Sequence, residues 1–195
     1  MRILIISTPR SGSTVLTNSI SKLLNCVGYH EPYNPKHPVS DVSKFIKNLP
    51  NNVVVKTMIH HVPFDEVGSI DFYKNEINHY DKVILLSRKN ILSSYESYNH
   101  NINENFNGNW HQPYHYKERE FDLNLYNSYL KWTSTLIDFS LDTNLPITWY
   151  ENLYNADITI TKDIISNWNI SDRIDTILPN FNIRNKYRKF HKSII

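Results

Sequence analysis

Cysteine occurs once in the 195 residues, as Cys26, and glycine only four times. A lone thiol excludes an internal disulfide and any zinc site built on cysteines, and it fits a reducing compartment. Long apolar runs are scarce as well. Ile3-Leu4-Ile5-Ile6 is too short for a signal-peptide core or a membrane span, and no later run reaches that length, so the expected location is the cytoplasm, with no membrane partner. Net charge is only +2, so no overall field favours a nucleic acid. Positive charge gathers locally, at Arg184, Lys186, Arg188, Lys189 and Lys192. There is no internal repeat, low-complexity tract or compositional break. With 40% apolar and 21% charged residues, the chain reads as one globular domain over residues 1–195.

What is present is an alternation of strand-like and helix-like segments. Arg2 to Ser7 is an unbroken β-branched and leucine run, which predicts a strand covered on both faces at the centre of a parallel sheet. A turn over Pro9 to Ser13 leads into Val15, Leu16, Ile20, Leu23 and Leu24, which recur at helical spacing up to Cys26 and Gly28. Val53-Val54-Val55, after Pro50-Asn51-Asn52, predicts a second buried strand, and Lys82 to Ser87, after Asp81, a third. A helix is expected from Asn90, carrying Ile91, Leu92, Tyr95, Tyr98 and Ile102 on one face with Ser94 and Ser97 to the side. From Asn99 to Glu120 periodicity gives way to Asn, His and aromatic residues, the character of a lid or substrate wall. Helical spacing returns from Phe121 to Leu141, a fourth strand is expected over Leu145 to Tyr150, and a last helix over Thr161 to Trp168. The order predicts a three-layer α/β domain with a mostly parallel central sheet flanked by helices.

The first strand-to-helix junction carries the chemistry. A strand ending in a small-residue loop that opens into a helix aims backbone N–H groups and the positive end of the helix dipole at one point, which attracts phosphate. In Thr8-Pro9-Arg10-Ser11-Gly12-Ser13-Thr14, Gly12 allows close backbone approach. Ser11, Ser13 and Thr14 offer hydroxyls, and Arg10 brings a fixed charge suited to anionic oxygens. An ordinary turn capped by Ser and Thr uses the same residue types. The early Gly and the Lys of the Walker A pattern are both absent, which disfavours an ATP or GTP site.

The order Pro9 to Thr14 resembles the loop by which sulfotransferases hold the 5′-phosphosulfate end of their co-substrate, 3′-phosphoadenosine 5′-phosphosulfate (PAPS). The resemblance implies a P-loop-like sulfotransferase fold, with Arg10 on the bridging oxygen and Ser11 to Thr14 on the 5′-phosphate. The family's second motif, an Arg at a strand end and a Ser about two helical turns later, is matched by Arg88 and Ser97. They are the implied 3′-phosphate ligands, with Ser93 and Ser94 as alternatives. Thr148-Trp149-Tyr150-Glu151-Asn152-Leu153 is similar to the family's late Tyr-Glu-Asp-Leu signature, with Asn152 in place of Asp, and there its role is largely structural. Arg184, with Lys186 and Arg188, stands where family members add a loop over the adenosine, though without the usual Arg-Lys-Gly order.

Sulfuryl transfer, like phosphoryl transfer, asks a protein to position reactants and to neutralise charge on the leaving group, and Arg10 is the residue placed for that. An attacking hydroxyl or amine also needs a base. Glu31, in Tyr29-His30-Glu31-Pro32, resembles the Glu-Pro segment in which the family's Glu can serve as the base, and is the first choice. His60 and His61 are the alternatives. They follow Val55-Lys56-Thr57, which resembles a strand-ending Lys-Thr-His, but Met58 stands where that His would be. Lys56 would assist the sulfuryl group. No metal is expected: His111 and His115 have four-residue spacing, but Gly108 and Pro113 break any helix there. Trp110, Tyr114 and Tyr116 suit an acceptor pocket for a sugar or other small molecule. The expected activity is thus PAPS-dependent sulfuryl transfer to a hydroxyl or amine of a carbohydrate or small molecule. The alternatives are a P-loop kinase of small molecules or nucleotides, using ATP and Mg²⁺, and a non-catalytic phosphoadenosine-binding protein.

Overall fold

The computed structural model describes residues 1–36, 39–62, 68–103 and 120–154, with 100–103 described for the backbone alone. The expected helix over Thr161 to Trp168, the histidines and aromatics of residues 104–119 and the basic cluster with Arg184 lie outside the described residues. The elements run β1 (Arg2–Ser7), α1 (Ser13–Leu23), β2 (Val27–His30), α2 (Val42–Lys47), β3 (Val53–Met58), α3 (Ser69–Glu76), β4 (Lys82–Ser87), α4 (Ile91–Asn103), α5 (Leu123–Thr143), β5 (Ile147–Trp149) and α6 (Tyr150–Leu153).

All five strands are parallel, in the order β2-β3-β1-β4-β5. The unbroken apolar run of β1 has its physical reason in two covered faces: Ile3, Leu4, Ile5 and Ile6 are each 0% exposed. Ile3 and Ile5 pack with Leu16 and Ile20 of α1 and with Leu153 and Tyr154. Leu4 and Ile6 point the other way, onto Tyr73 of α3 and Leu136 and Phe139 of α5. The result is helix, sheet, helix in three layers.

The structure adds elements that patterning does not predict. β2 is a four-residue edge strand with no residue buried, so it lacks the apolar run that marks a central strand, and it pairs with β3 from Val27↔Val53 to His30↔Lys56. The segment after β4 is thus the exit of a fourth strand, not a third. The face of α4 also differs from expectation: Leu92 is 48% exposed and Ser94 only 2%. Tyr95 and Tyr98 do turn toward α5 as expected, joined by Asn99, with Tyr98 edge-on to Tyr129 and Trp132. The Tyr95 hydroxyl accepts from Asp122 N–H (2.6 Å) and from Asn99 Nδ2 (3.2 Å), so it ties α4 to the start of α5.

The connections leaving β1 and β4 run to opposite sides of the sheet. Between two such neighbouring strands, the carboxyl ends bracket the crevice where α/β sheets collect ligands. Thr8 closes the end of this pair, its N–H donating to the Leu86 carbonyl (3.1 Å) and its hydroxyl bonding that of Ser87 (3.0 Å).

Candidate active site

The loop after β1 holds two residues in the left-handed region, Arg10 (φ 60) and Gly12 (φ 83). Gly12 is the N-cap of α1 and no side chain caps the helix. The first helical bond runs from Leu16 N–H to the Gly12 carbonyl (3.1 Å), so the earlier N–H groups have no helical partner. A Cβ at Gly12 would lie 2.8 Å from Tyr154 Cε2 and 3.1 Å from Tyr150 Cδ2, so only glycine fits. Ser11 is fully buried and its hydroxyl donates to the Thr8 carbonyl (2.7 Å). That proton is spent on the turn, which leaves the Ser11 main chain, not its side chain, to face an anion. Ser13 is buried and Thr14 half-buried at the start of α1.

Arg10 Nε donates to Ser97 Oγ (2.9 Å), which joins the loop to α4 across 87 residues of sequence. Of the alternatives to Ser97, Ser94 is buried within the fold, and the Ser93 N–H bonds the Asn90 side chain. Arg88 leaves β4 with its guanidinium 4.5 Å from the centre of the Tyr150 ring and its Nε 3.8 Å from Glu151 Oε1. Glu151 also accepts from the N–H groups of Lys89 (2.9 Å) and Asn90 (3.1 Å), just ahead of α4. Tyr154 completes the link by donating to the Gly12 carbonyl (3.0 Å). Residues 150–154 therefore brace the loop and the exit of β4 together.

On the other side of β1, Glu31 follows β2 with φ 57, and its N–H bonds the Lys56 carbonyl (2.6 Å). Its carboxylate accepts from Lys56 Nζ and from Asn34 Nδ2 (3.2 Å), and lies 3.9 Å from His61 Nδ1. Burial alone would raise the Glu31 carboxyl, but the charge and hydrogen bond of Lys56, helped by His61 and Asn34, outweigh it and hold the group below its ordinary range. Lys56 is 2% exposed. Desolvation lowers its ammonium despite Glu31, and the nearby charge of Arg10 lowers it further. Burial pushes His61 down to about 4 and His60 to about 3, so both rings are neutral at neutral pH. His60 stacks on Trp132 (4.1 Å, 14° between planes) and meets His61 edge-on (4.5 Å).

Arg10, Ser11, Gly12, Ser13, Thr14, Arg88, Ser97, Glu31 and His60 thus gather at one end of the sheet. Arg184 lies outside the described residues. Tyr129 is a member that sequence reasoning missed: its hydroxyl is buried on α5 without a hydrogen-bond partner, and it feels the charges of Arg10 and Arg88. Helical spacing marks it as core, which it also is, so no sequence signal separates the two roles. Among the described residues no group of three His, Cys, Asp or Glu side chains is arranged to hold a metal, and no helix is long and apolar enough to cross a membrane. Two clefts flank the centre without containing the loop. One of about 330 Å³ begins at His60; another of about 630 Å³ runs along α1 and β2. No known protein-family model matches the chain, and no curated protein matches it.

Proposed function

We propose that the chain is a sulfotransferase of P-loop-like fold that moves a sulfuryl group from PAPS to an acceptor hydroxyl. The observation that carries the reading is the bond from Arg10 to Ser97. It joins the loop resembling a 5′-phosphosulfate cradle to the residue resembling a 3′-phosphate ligand, which sequence alone could only set in order. The residues present fit such a donor. Gly12 leaves no room for a side chain, α1 has no capping side chain, and Arg10, Arg88 and Lys56 stand at one end of the sheet, Lys56 paired with Glu31 and Arg88 beside Glu151, with no lysine in the loop.

Arg10, Ser13 and Thr14 with the loop N–H groups would hold the 5′ end, and Arg88 and Ser97 the 3′-phosphate. Bound there, PAPS supplies an activated sulfuryl group whose sulfur–oxygen bond to the 5′-phosphate breaks as the acceptor oxygen bonds sulfur. Glu31, ionised and a quarter exposed, takes the acceptor proton. Once Glu31 is protonated, its hold on the Lys56 ammonium weakens, and Lys56 and Arg10 together neutralise charge on the departing phosphate oxygen. His61 Nδ1, 3.9 Å from Glu31, stays neutral beside it, and the proton leaves through the solvent-exposed part of Glu31.

The test is thermal stabilisation by 3′-phosphoadenosine 5′-phosphate, ADP and ATP, each with and without Mg²⁺. The phosphoadenosine is expected to raise the melting temperature most, without Mg²⁺, and Arg88→Ala to weaken it far more than ADP. Glu31→Gln is expected to bind the phosphoadenosine and lose turnover. Stabilisation by ATP with Mg²⁺ alone overturns the reading in favour of a kinase, and full turnover in Glu31→Gln moves the base to a histidine.

A further inference from the structure

The cleft of about 330 Å³ beside His60 lies at the lower end of the size range of ligand cavities. Its walls are Ile59 and His60 after β3, Ser69 at the start of α3, and Ser128, Lys131, Trp132 and Thr135 of α5. The α5 wall of this cleft is one-sided in its chemistry. Ser128 donates its hydroxyl proton to the Asn124 carbonyl (2.9 Å) and Thr135 to the Lys131 carbonyl (2.9 Å). Both protons are committed, so the two oxygens are left to accept from a ligand. The His60 ring is neutral and lies flat on the Trp132 indole. Among the described residues Lys131, exposed on α5, is then the single charged group of the lining. Hydroxyl donors, a planar or ring-shaped body and one negative charge match such walls. Among the described residues of the lining, an amine would meet only the like charge of Lys131.

The cleft is also near the proposed base. The His60 ring contacts the His61 ring, and His61 Nδ1 lies 3.9 Å from Glu31. We propose that this cleft binds an acidic sugar, a polyhydroxylated ring bearing a carboxylate, with Lys131 as its counter-ion. As the seat of the acceptor the assignment rests on the sulfuryl-transfer reading; as a binding site it does not.

The decisive comparison uses methyl β-D-glucuronide, methyl β-D-glucoside and methyl β-D-glucosaminide, titrated by ligand-observed NMR into the full chain at neutral pH, with and without saturating 3′-phosphoadenosine 5′-phosphate. The first two differ only at C6, a carboxylate against a hydroxymethyl. The glucuronide is expected to bind roughly three- to fivefold more tightly than the glucoside, the size of one partly exposed ion pair, and the glucosaminide most weakly. Lys131→Gln should erase that preference and Lys131→Arg retain it, while Thr135→Val should weaken both uncharged and acidic sugars. Lys131 and Thr135 lie on the solvent side of α5, and circular dichroism checks that the variants fold. No preference in the wild type, or one that survives Lys131→Gln, overturns the inference and leaves the sulfotransferase reading standing if the phosphoadenosine binds. A Lys131-dependent preference without phosphoadenosine binding supports the acidic-sugar site and removes the sulfotransferase reading.

Discussion

A methyl group at Gly12 would have nowhere to go. Its φ of 83 is a conformation that side chains disfavour, and the Tyr154 ring edge stands 2.8 Å from where a Cβ would sit. Gly12→Ala is therefore expected to cost about 1–3 kcal/mol, measured by urea unfolding, and to abolish phosphoadenosine binding because the loop must shift. Tyr129 gives the opposite case. Its hydroxyl is buried without a partner, so Tyr129→Phe removes a desolvated group and no bond. Stability should stay unchanged or rise by up to about 1 kcal/mol in the free protein. If the hydroxyl engages a bound anion, the same variant binds the phosphoadenosine more weakly, and calorimetric titration separates the two effects. Lys56 explains why Glu31 is better probed as Gln than as Ala: the amide still accepts from the buried ammonium, whereas Ala strands it.

Among the elements, the short helix α6 matters more than its four residues suggest. Glu151 receives the N–H groups of Lys89 and Asn90, just ahead of α4, and it sits beside Arg88. Its carboxylate ties the two residues ahead of α4 to the segment after β5, while Asn90 itself caps the helix by accepting from Ser93 N–H. Glu151→Ala is expected to cost about 1–3 kcal/mol, as leaving donors without their partner does, with Glu151→Gln retaining part of the stability. The weak ion pair to Arg88, partly open to solvent, adds little to that sum. Because the loss also frees Arg88 from its place over Tyr150, phosphoadenosine affinity should fall in parallel with stability across the two variants. Unaltered affinity at reduced stability would confine Glu151 to a structural role.

At the scale of the whole molecule, buried histidines set the response to acid. Unfolded, His60 and His61 take up protons near 6.5; folded, burial holds them down to about 3 and about 4. Below 6.5 the unfolded chain therefore binds more protons than the folded one. Stability is complete above that pH and falls on acidification, by at most about 1.4 kcal/mol per pH unit for each histidine. Glu31 acts in the same direction at lower pH, since its lowered carboxyl must be protonated as its pairing with Lys56 is lost. Melting temperatures measured from pH 7 to pH 4 should fall steadily, and His61→Gln should flatten the slope. The molecule also divides what is legible in sequence from what is not. Local runs suffice for β1, its loop and α1, because a strand buried on both faces and a helix each imprint a pattern on consecutive residues. The edge strand β2 and the helices α2 and α3 escape, being short and only partly buried. The residue types of the site were legible, as was their order along the chain. Their meeting was not: Arg10 reaches Ser97 only because β4 lies beside β1, and Glu31 reaches Lys56 only through the pairing of His30 with Lys56. Sequence by itself determined the α/β architecture and the phosphate-suited loop. Tertiary structure decided which distant charges share one dielectric environment, and hence which carboxylate is ionised, which histidines are neutral and where Lys131 faces an open cleft.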